Sequence, residues 1–142
     1  MTELMQIQPF IQAYVQAISS IVEAQVTVVD SQLIRVGGSG AYEREAGQRI
    51  PHDSFFQNIL RTLKPGIIRN VRKEFACNSC QRRDTCHELA NLAYPILLKG
   101  EPVGVIGIIA FQERERERLL DGQKKLEEFL KYMSALLESK LI

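Results

Sequence analysis

Three cysteines fall within one short polar stretch, Phe75 to His87, which reads Phe-Ala-Cys-Asn-Ser-Cys-Gln-Arg-Arg-Asp-Thr-Cys-His. They are Cys77, Cys80 and Cys86, and the chain has no others. Two residues separate the first pair and five the second. A two-residue gap lets the backbone turn tightly enough for two thiolates to face one point, as a metal ion requires. Asn78 and Ser79 suit that turn, since Asn tolerates a left-handed backbone. Arg82 and Arg83 would favour the thiolate forms by offsetting their charge. These residue types at this spacing point to a three-cysteine metal or cluster site, either zinc with a fourth ligand or an iron–sulfur cluster. His87 is a candidate fourth ligand, although it adjoins Cys86 in sequence. His52 could approach only through folding, and an open cluster iron or a ligand from a partner chain would also complete the set. Two other readings stand beside this one: a redox-active thiol pair, and cysteines that merely pack. Packing is the ordinary fate of a free cysteine, but all three lie in one polar loop, where little is buried.

At 142 residues the chain is long enough for one domain with its own core. Hydrophobic residues make up 45% and charged residues 25%, an ordinary globular balance. A net charge of +1 gives no broad electrostatic footprint for nucleic acid. Only the segment from Arg72 to Arg83 is locally basic. The first residues lack a basic stretch followed by an apolar run, so no signal peptide is expected. The longest apolar run, Val103 to Phe111, is too short to span a bilayer and is interrupted by Gly104 and Gly107. The expectation is a cytoplasmic chain, where a reducing environment suits thiolate chemistry.

The elements that would position the cysteine segment follow from periodicity. Apolar residues at Ile11, Tyr14, Val15, Ile18, Ile21 and Val22 predict a helix from Pro9, with Leu4 and Ile7 extending the stripe. Gln25 to Asp30 reads as a strand, Asp30-Ser31 as a turn, and Gln32 to Val36 as a second strand of a hairpin. Gly37-Gly38-Ser39-Gly40 reads as a mobile loop or bulge, since no phosphate-binding motif follows it. Asp53 or Ser54 would cap a helix burying Phe55, Phe56, Ile59, Leu60 and Leu63. Gly66 to Val71 reads as a short strand before the cysteine segment, and Asp84 or Thr85 as the cap of a brief helical turn through Glu88. Leu92 to Leu98 is a strand in which Pro95 implies an edge or a strand start. After a turn at Lys99 to Pro102, Val103 to Phe111 should be central. Gly104 and Gly107 within it imply close approach of a helix or a ligand. A long helix from Glu113 to the last residue carries Leu119, Leu126 and Met133 seven apart, with Leu130 and Leu137 offset by four. Gln123 is the polar interruption of this coiled-coil-like stripe. Its lack of a stop signal implies a natural protein that continues.

The final hairpin, Tyr94-Pro95-Ile96-Leu97-Leu98-Lys99-Gly100-Glu101-Pro102-Val103-Gly104-Val105-Ile106-Gly107, resembles the closing hairpin of GAF and PAS sensor domains. The cysteine segment, Glu88-Leu89-Ala90, Gly-Val-Ile-Gly-Ile-Ile-Ala-Phe and Met133-Ser134-Ala135-Leu136-Leu137 together resemble the N-terminal sensor of certain sigma-54-dependent transcription activators. The likeness is good over Phe75 to Leu137 and looser before it. It implies an α+β, GAF/PAS-like domain: a central antiparallel sheet of about five strands with flanking helices and long N- and C-terminal helices. The divisions would be 1–24 as N-terminal helix, 25–112 as sensor core and 113–142 as signalling helix. In such activators an AAA+ ATPase and a helix-turn-helix domain follow. The cysteine spacing also resembles the start of auxiliary iron–sulfur motifs in radical enzymes, but Ala90 stands where their fourth cysteine would be.

The leading functional expectation is a regulatory sensor of a bacterial transcription regulator. It would respond to a small effector, a metal or cluster, or redox state, and relay the change through a homodimer of its terminal helices. It would not bind nucleic acid directly and would not contact a membrane. The runner-up is a zinc-stapled dimerisation module. A thiol-dependent enzyme is the third reading; GAF folds include a sulfoxide reductase family whose cysteines are spread more widely than these.

Overall fold

The β-branched run Gln25–Asp30 forms β1, and Arg35–Gly38 forms β2. They pair antiparallel, with a register shift between Val28 and Val29. Asp30 makes the turn between them: its Oδ1 accepts from the N–H groups of Gln32 and Ile34 at 2.9 and 3.0 Å. An aspartate bonding the backbone just beyond itself is a turn device. The device occupies the residues after Asp30, so β2 starts at Arg35 rather than at Gln32. β2 also takes in Gly37 and Gly38, which the sequence read as a mobile loop or bulge, and the register shift falls beside Gly37. A Cβ on Gly38 would stand 2.5 Å from the Cβ of Tyr42, and one on Gly37 would crowd Ile11 and Gln12. Glycine is required here by close packing.

In this computed structural model, which describes residues 1–51, 54–71 and 87–142, the remaining strands are β3 (Gly66–Ile68), β4 (Ala90–Leu98) and β5 (Glu101–Ala110). The sheet order is β2-β1-β5-β4-β3 and every pairing is antiparallel. β5 is central, as its continuous apolar character predicts. Lys99 and Gly100 close the β4–β5 hairpin with φ of 53° and 85°, the positive values a two-residue hairpin turn needs. β4 is an inner strand, but β3 pairs only with Asn91 to Ala93. Pro95 lies beyond that short partner, which is how an inner strand accommodates it.

The helices are α1 (Glu3–Gln6), α2 (Gln8–Val22), α3 (Phe55–Thr62), α4 (Glu113–Asp121) and α5 (Gln123–Leu141), with a 3-10 helix at Gly40–Glu45. Ser54 caps α3, its Oγ accepting from the Gln57 N–H at 3.4 Å; Asp53, the other predicted cap, lies outside the described residues. Leu63 does not join the core of α3. It takes a left-handed conformation (φ 58°) at the helix end and is exposed. The C-terminal segment is two helices, because Gly122 ends α4 and precedes α5.

The sheet separates two cores. On one face α1, α2, α4 and α5 bury Leu4, Ile11, Val15, Ile18, Leu119, Leu130 and Leu137 against Val26, Val28, Leu92, Ile106 and Ile108. Each such side chain contributes about 1.5–3 kcal/mol when fully buried. The predicted leucine stripe therefore meets the chain's own sheet, with Leu126 and Met133 partly buried beside it. Tyr14 Oη ties α2 to α5 by donating to the Met133 carbonyl at 2.6 Å. On the other face α3 and the 3-10 helix cover Val29, Ala93, Val105 and Ile109 with Tyr42, Phe56 and Ile59.

Both β5 glycines lie under close neighbours, as predicted. A Cβ on Gly104 would stand 2.5 Å from Leu4 Cδ1 and 2.5 Å from the Val29 carbonyl oxygen. The leucine can yield, but the strand carbonyl cannot. Gly104→Ala should therefore destabilise the domain by about 1–3 kcal/mol, read as a lowered urea midpoint with an unchanged slope.

Candidate functional site

Strand alternation sends Thr27, Arg35 and Asn91 to the α3 face while their neighbours Val26, Val28, Val36 and Leu92 join the helical core. That alternation places three polar side chains, each at most 5% exposed, beneath an otherwise apolar layer. Thr27 Oγ1 donates to the Gly37 carbonyl at 3.0 Å and accepts from Arg35 Nη1. The Arg35 guanidinium carbon lies 3.8 Å from the centre of the Tyr42 ring, a cation–π contact. Tyr42 Oη donates to Glu88 Oε2, and Asn91 Nδ2 donates to Glu88 Oε1 at 3.3 Å. Phe111 flanks Tyr42, with ring centres 5.5 Å apart.

Two features set this cluster apart from a sealed polar core. Burial pushes the Glu88 carboxyl above the usual carboxylate range. The Tyr42 hydroxyl, the Arg35 guanidinium and the Asn91 amide pull it back, and Glu45 adds a smaller upward push. Second, Asn91 Oδ1 is buried with no hydrogen-bond partner among the described residues. An orphaned buried acceptor costs about 1–3 kcal/mol and calls for an explanation. Its surroundings are close: a Cβ on Gly107 would stand 3.1 Å from that oxygen and 2.6 Å from Phe56 Cζ. The glycine thus lets the Phe56 ring rest on the sheet beside Asn91.

A cleft of about 380 Å³ opens at the rim of the same face, between the β1–β2 turn and α3. Leu33 and Leu60 form its apolar wall, and Gln32, Arg49, Gln57 and Arg61 its polar one. Arg49 Nη1 also donates to the Gln32 carbonyl at 2.8 Å, which holds the cleft's outer lip.

The cysteine segment is reached from this site through its flanks. Cys77, Cys80, Cys86 and His52 lie outside the described residues, as do Asp84 and Thr85, and His87 is exposed. The Val71 N–H donates to the Leu89 carbonyl at 3.0 Å, so the two ends of the segment are held together next to Glu88. Arg116 of α4 bonds the near end, donating from Nε to the Arg69 carbonyl and from Nη2 to Asn70 Oδ1, both at 2.8 Å. Sequence reasoning missed Arg35, Tyr42, Glu88 and Asn91. The available signal was a single asparagine in the otherwise apolar strand Ala90–Leu98.

The fold matches solved structures. These are the nlh2 GAF domain of A. aeolicus in an inactive state (TM-score 0.60, 16% identity, 92% of this chain and 86% of that one), and the GAF domain of a phosphoenolpyruvate-protein phosphotransferase from Coxiella burnetii (TM-score 0.63, 12% identity, 90% and 80%). The chain has the GAF fold. The type II free methionine-R-sulfoxide reductase of Thermoplasma acidophilum shares it too (TM-score 0.59, 14% identity, 96% of each chain). No protein-family model matches the sequence. Over 140 residues, 98% of its length, this GAF-fold chain is 31% identical to the "Putative uric acid sigma-54-dependent transcriptional regulator UacR" of Escherichia coli K12. It spans 24% of that protein's length. Among the described residues no helix is long and apolar enough to cross a membrane.

The raised Glu88 carboxyl gives a pH signature. A group whose proton is held more tightly in the fold contributes stability at low pH. That contribution is lost as pH rises from the ordinary carboxyl value of 4.5 through the raised one. Glu88→Gln removes this loss, so the stability of the variant relative to the parent should climb with pH across that window. Urea midpoints measured through the window check it, and a constant difference would refute the buried carboxyl.

Proposed function

We propose that this chain is the signal-sensing domain of a bacterial sigma-54-dependent transcription regulator, and that a small effector binds on its α3 face. The observation that carries the reading is the cluster of buried Arg35, Tyr42 and Asn91 with half-buried Glu88, which leaves one acceptor unpaired among the described residues beneath a mostly apolar layer. The relation to UacR over nearly the whole chain supports the regulatory role. Binding rather than catalysis follows from the cluster's chemistry, since its side chains bond one another instead of holding a nucleophile against an oriented base. The effector would act by favouring one arrangement of α3 and of the C-terminal helices over another. A panel of small polar metabolites tested by thermal shift decides the matter. An effector at a hundred times its dissociation constant adds about 2.7 kcal/mol, a shift of several degrees for a domain of this size. If no compound moves the midpoint, the domain is not an effector sensor.

A second reading attaches to the cysteine segment, whose ends the Val71–Leu89 bond closes into a compact loop base. A loop closed at its base lowers the entropy cost of gathering three thiolates around zinc or an iron–sulfur cluster. Protein purified without oxygen should then carry stoichiometric metal, and Cys80→Ser should abolish it. Full metal content in the variant would remove the assignment, and absorbance in the visible would separate a cluster from zinc.

A further inference from the structure

Resting on the reading that the α3 face binds an effector, we propose that the effector enters the rim cleft as a small carboxylate with an apolar body, its charge held by Arg49 and its body lying against Leu33 and Leu60. The cleft encloses about 380 Å³, toward the lower end of the range that holds small ligands. Its described lining carries two guanidiniums, Arg49 and Arg61, and no carboxylate. Asp30, which adjoins that lining at Ser31, is 1% exposed, and both of its oxygens are engaged, one by the turn and the other by Thr2. An anion entering here meets positive charge, with no acid of the described lining to compete for it.

Arg49 can grip as well as attract. Its Nη1 donates to the Gln32 carbonyl at 2.8 Å, and its backbone pairs with Ile34 across the same lip. A neutral carbonyl orients the guanidinium without cancelling its charge. The bond uses Nη1 and leaves the Nε–Nη2 edge, two parallel N–H donors that match the two oxygens of a carboxylate. A lysine offers no such fork. Arg61 adds a second positive charge from α3.

The lip is built in advance. Leu33 has a left-handed backbone, φ 64°, and is 4% exposed. A leucine is uncommon in that region, and residues so strained persist where their surroundings over-determine them, often at ligand clamps. Here the Leu33 N–H donates to the Asp30 carbonyl at 3.0 Å, and its carbonyl accepts from the Ile50 N–H at 2.7 Å. Asp30 Oδ1 fixes the N–H groups on either side of it. The strained turn sets the Leu33 side chain in the α3-side core, where it and Leu60 make one apolar wall. A lip fixed before binding lowers the cost of ordering it. The other Asp30 oxygen accepts from Thr2 Oγ1 at 2.6 Å, just ahead of α1, so one carboxylate joins the cleft lip to the helical face.

Calorimetric titration of the whole chain with hexanoate, hexanamide and acetate tests this. Hexanoate should bind. Hexanamide, which keeps the body and loses the charge, should bind at least about tenfold more weakly. Acetate, which keeps the charge and loses the body, should fall by a similar factor, since each buried methylene is worth about fourfold. Arg49→Gln should lose hexanoate at least about tenfold, whereas Arg118→Gln, which removes an exposed guanidinium from α4, should retain it. Equal binding of hexanoate and either comparison compound, or unchanged hexanoate affinity in Arg49→Gln, overturns the proposal. The ligand comparison needs no variant, so it holds even where a substitution prevents folding. If hexanoate fails while another compound of the metabolite panel moves the thermal midpoint, the ligand class is wrong and the sensor reading survives. If nothing in the panel does, both fall.

Discussion

β5 must be buried on both faces, and the rest of the chain answers to that demand. Its side chains at Ile106, Ile108 and Ala110 point to the helices, and those at Val105 and Ile109 point to α3. A strand of this composition left open on either side would expose a long apolar surface. The terminal helices satisfy one face largely with hydrocarbon. The other is covered by one eight-residue helix and a 3-10 turn, reinforced by side chains from distant points of the chain. The two glycines of β5 belong to the same constraint, since each lets one covering layer descend to the backbone.

The two faces consequently differ in chemistry. The helical side is a largely apolar core, tied across α2 and α5 by the bond from Tyr14 to a main-chain carbonyl, and burial raises the Tyr14 hydroxyl pKa well above its usual value. The α3 side mixes aromatic rings with a guanidinium, a carboxyl and an amide. A polar network inside a protein rigidifies when complete and is costly when one member is left unpaired. Among the described residues the network leaves Asn91 Oδ1 without a partner.

Much of the scaffold was legible in sequence because period and turn chemistry act locally. β1 matched its β-branched run, the Lys99-Gly100 turn announced the closing hairpin, and Gly104 and Gly107 signalled close approach correctly. What failed depended on tertiary packing. Gly37 and Gly38 look like loop residues until Tyr42 and Ile11 are seen against them, and Leu63 looks like core until its left-handed backbone turns it outward. The leucine stripe of the C-terminal helices has a spacing that suits either a seam between chains or the chain's own core, and its leucines pack on the sheet. The polar cluster was the least visible of all. Arg35 comes from β2 and Tyr42 from the 3-10 helix, while Glu88 and Asn91 lie three apart around the start of β4, and no spacing rule links the two regions. The cysteines, by contrast, were conspicuous through proximity in sequence alone.

Only Phe111 and Gln112 separate β5 from α4, and neither has a free backbone donor. The Glu115 carboxylate accepts from both of their N–H groups, at 2.8 and 3.2 Å, while the preceding Ala110 carbonyl accepts from the Leu89 N–H at 2.7 Å. A joint so tightly tied has no slack. Tilting the end of β5 must swing α4 like a lever, undamped by any compliant linker. The ring of Phe111 sits on that fulcrum, against the tyrosine that holds Glu88.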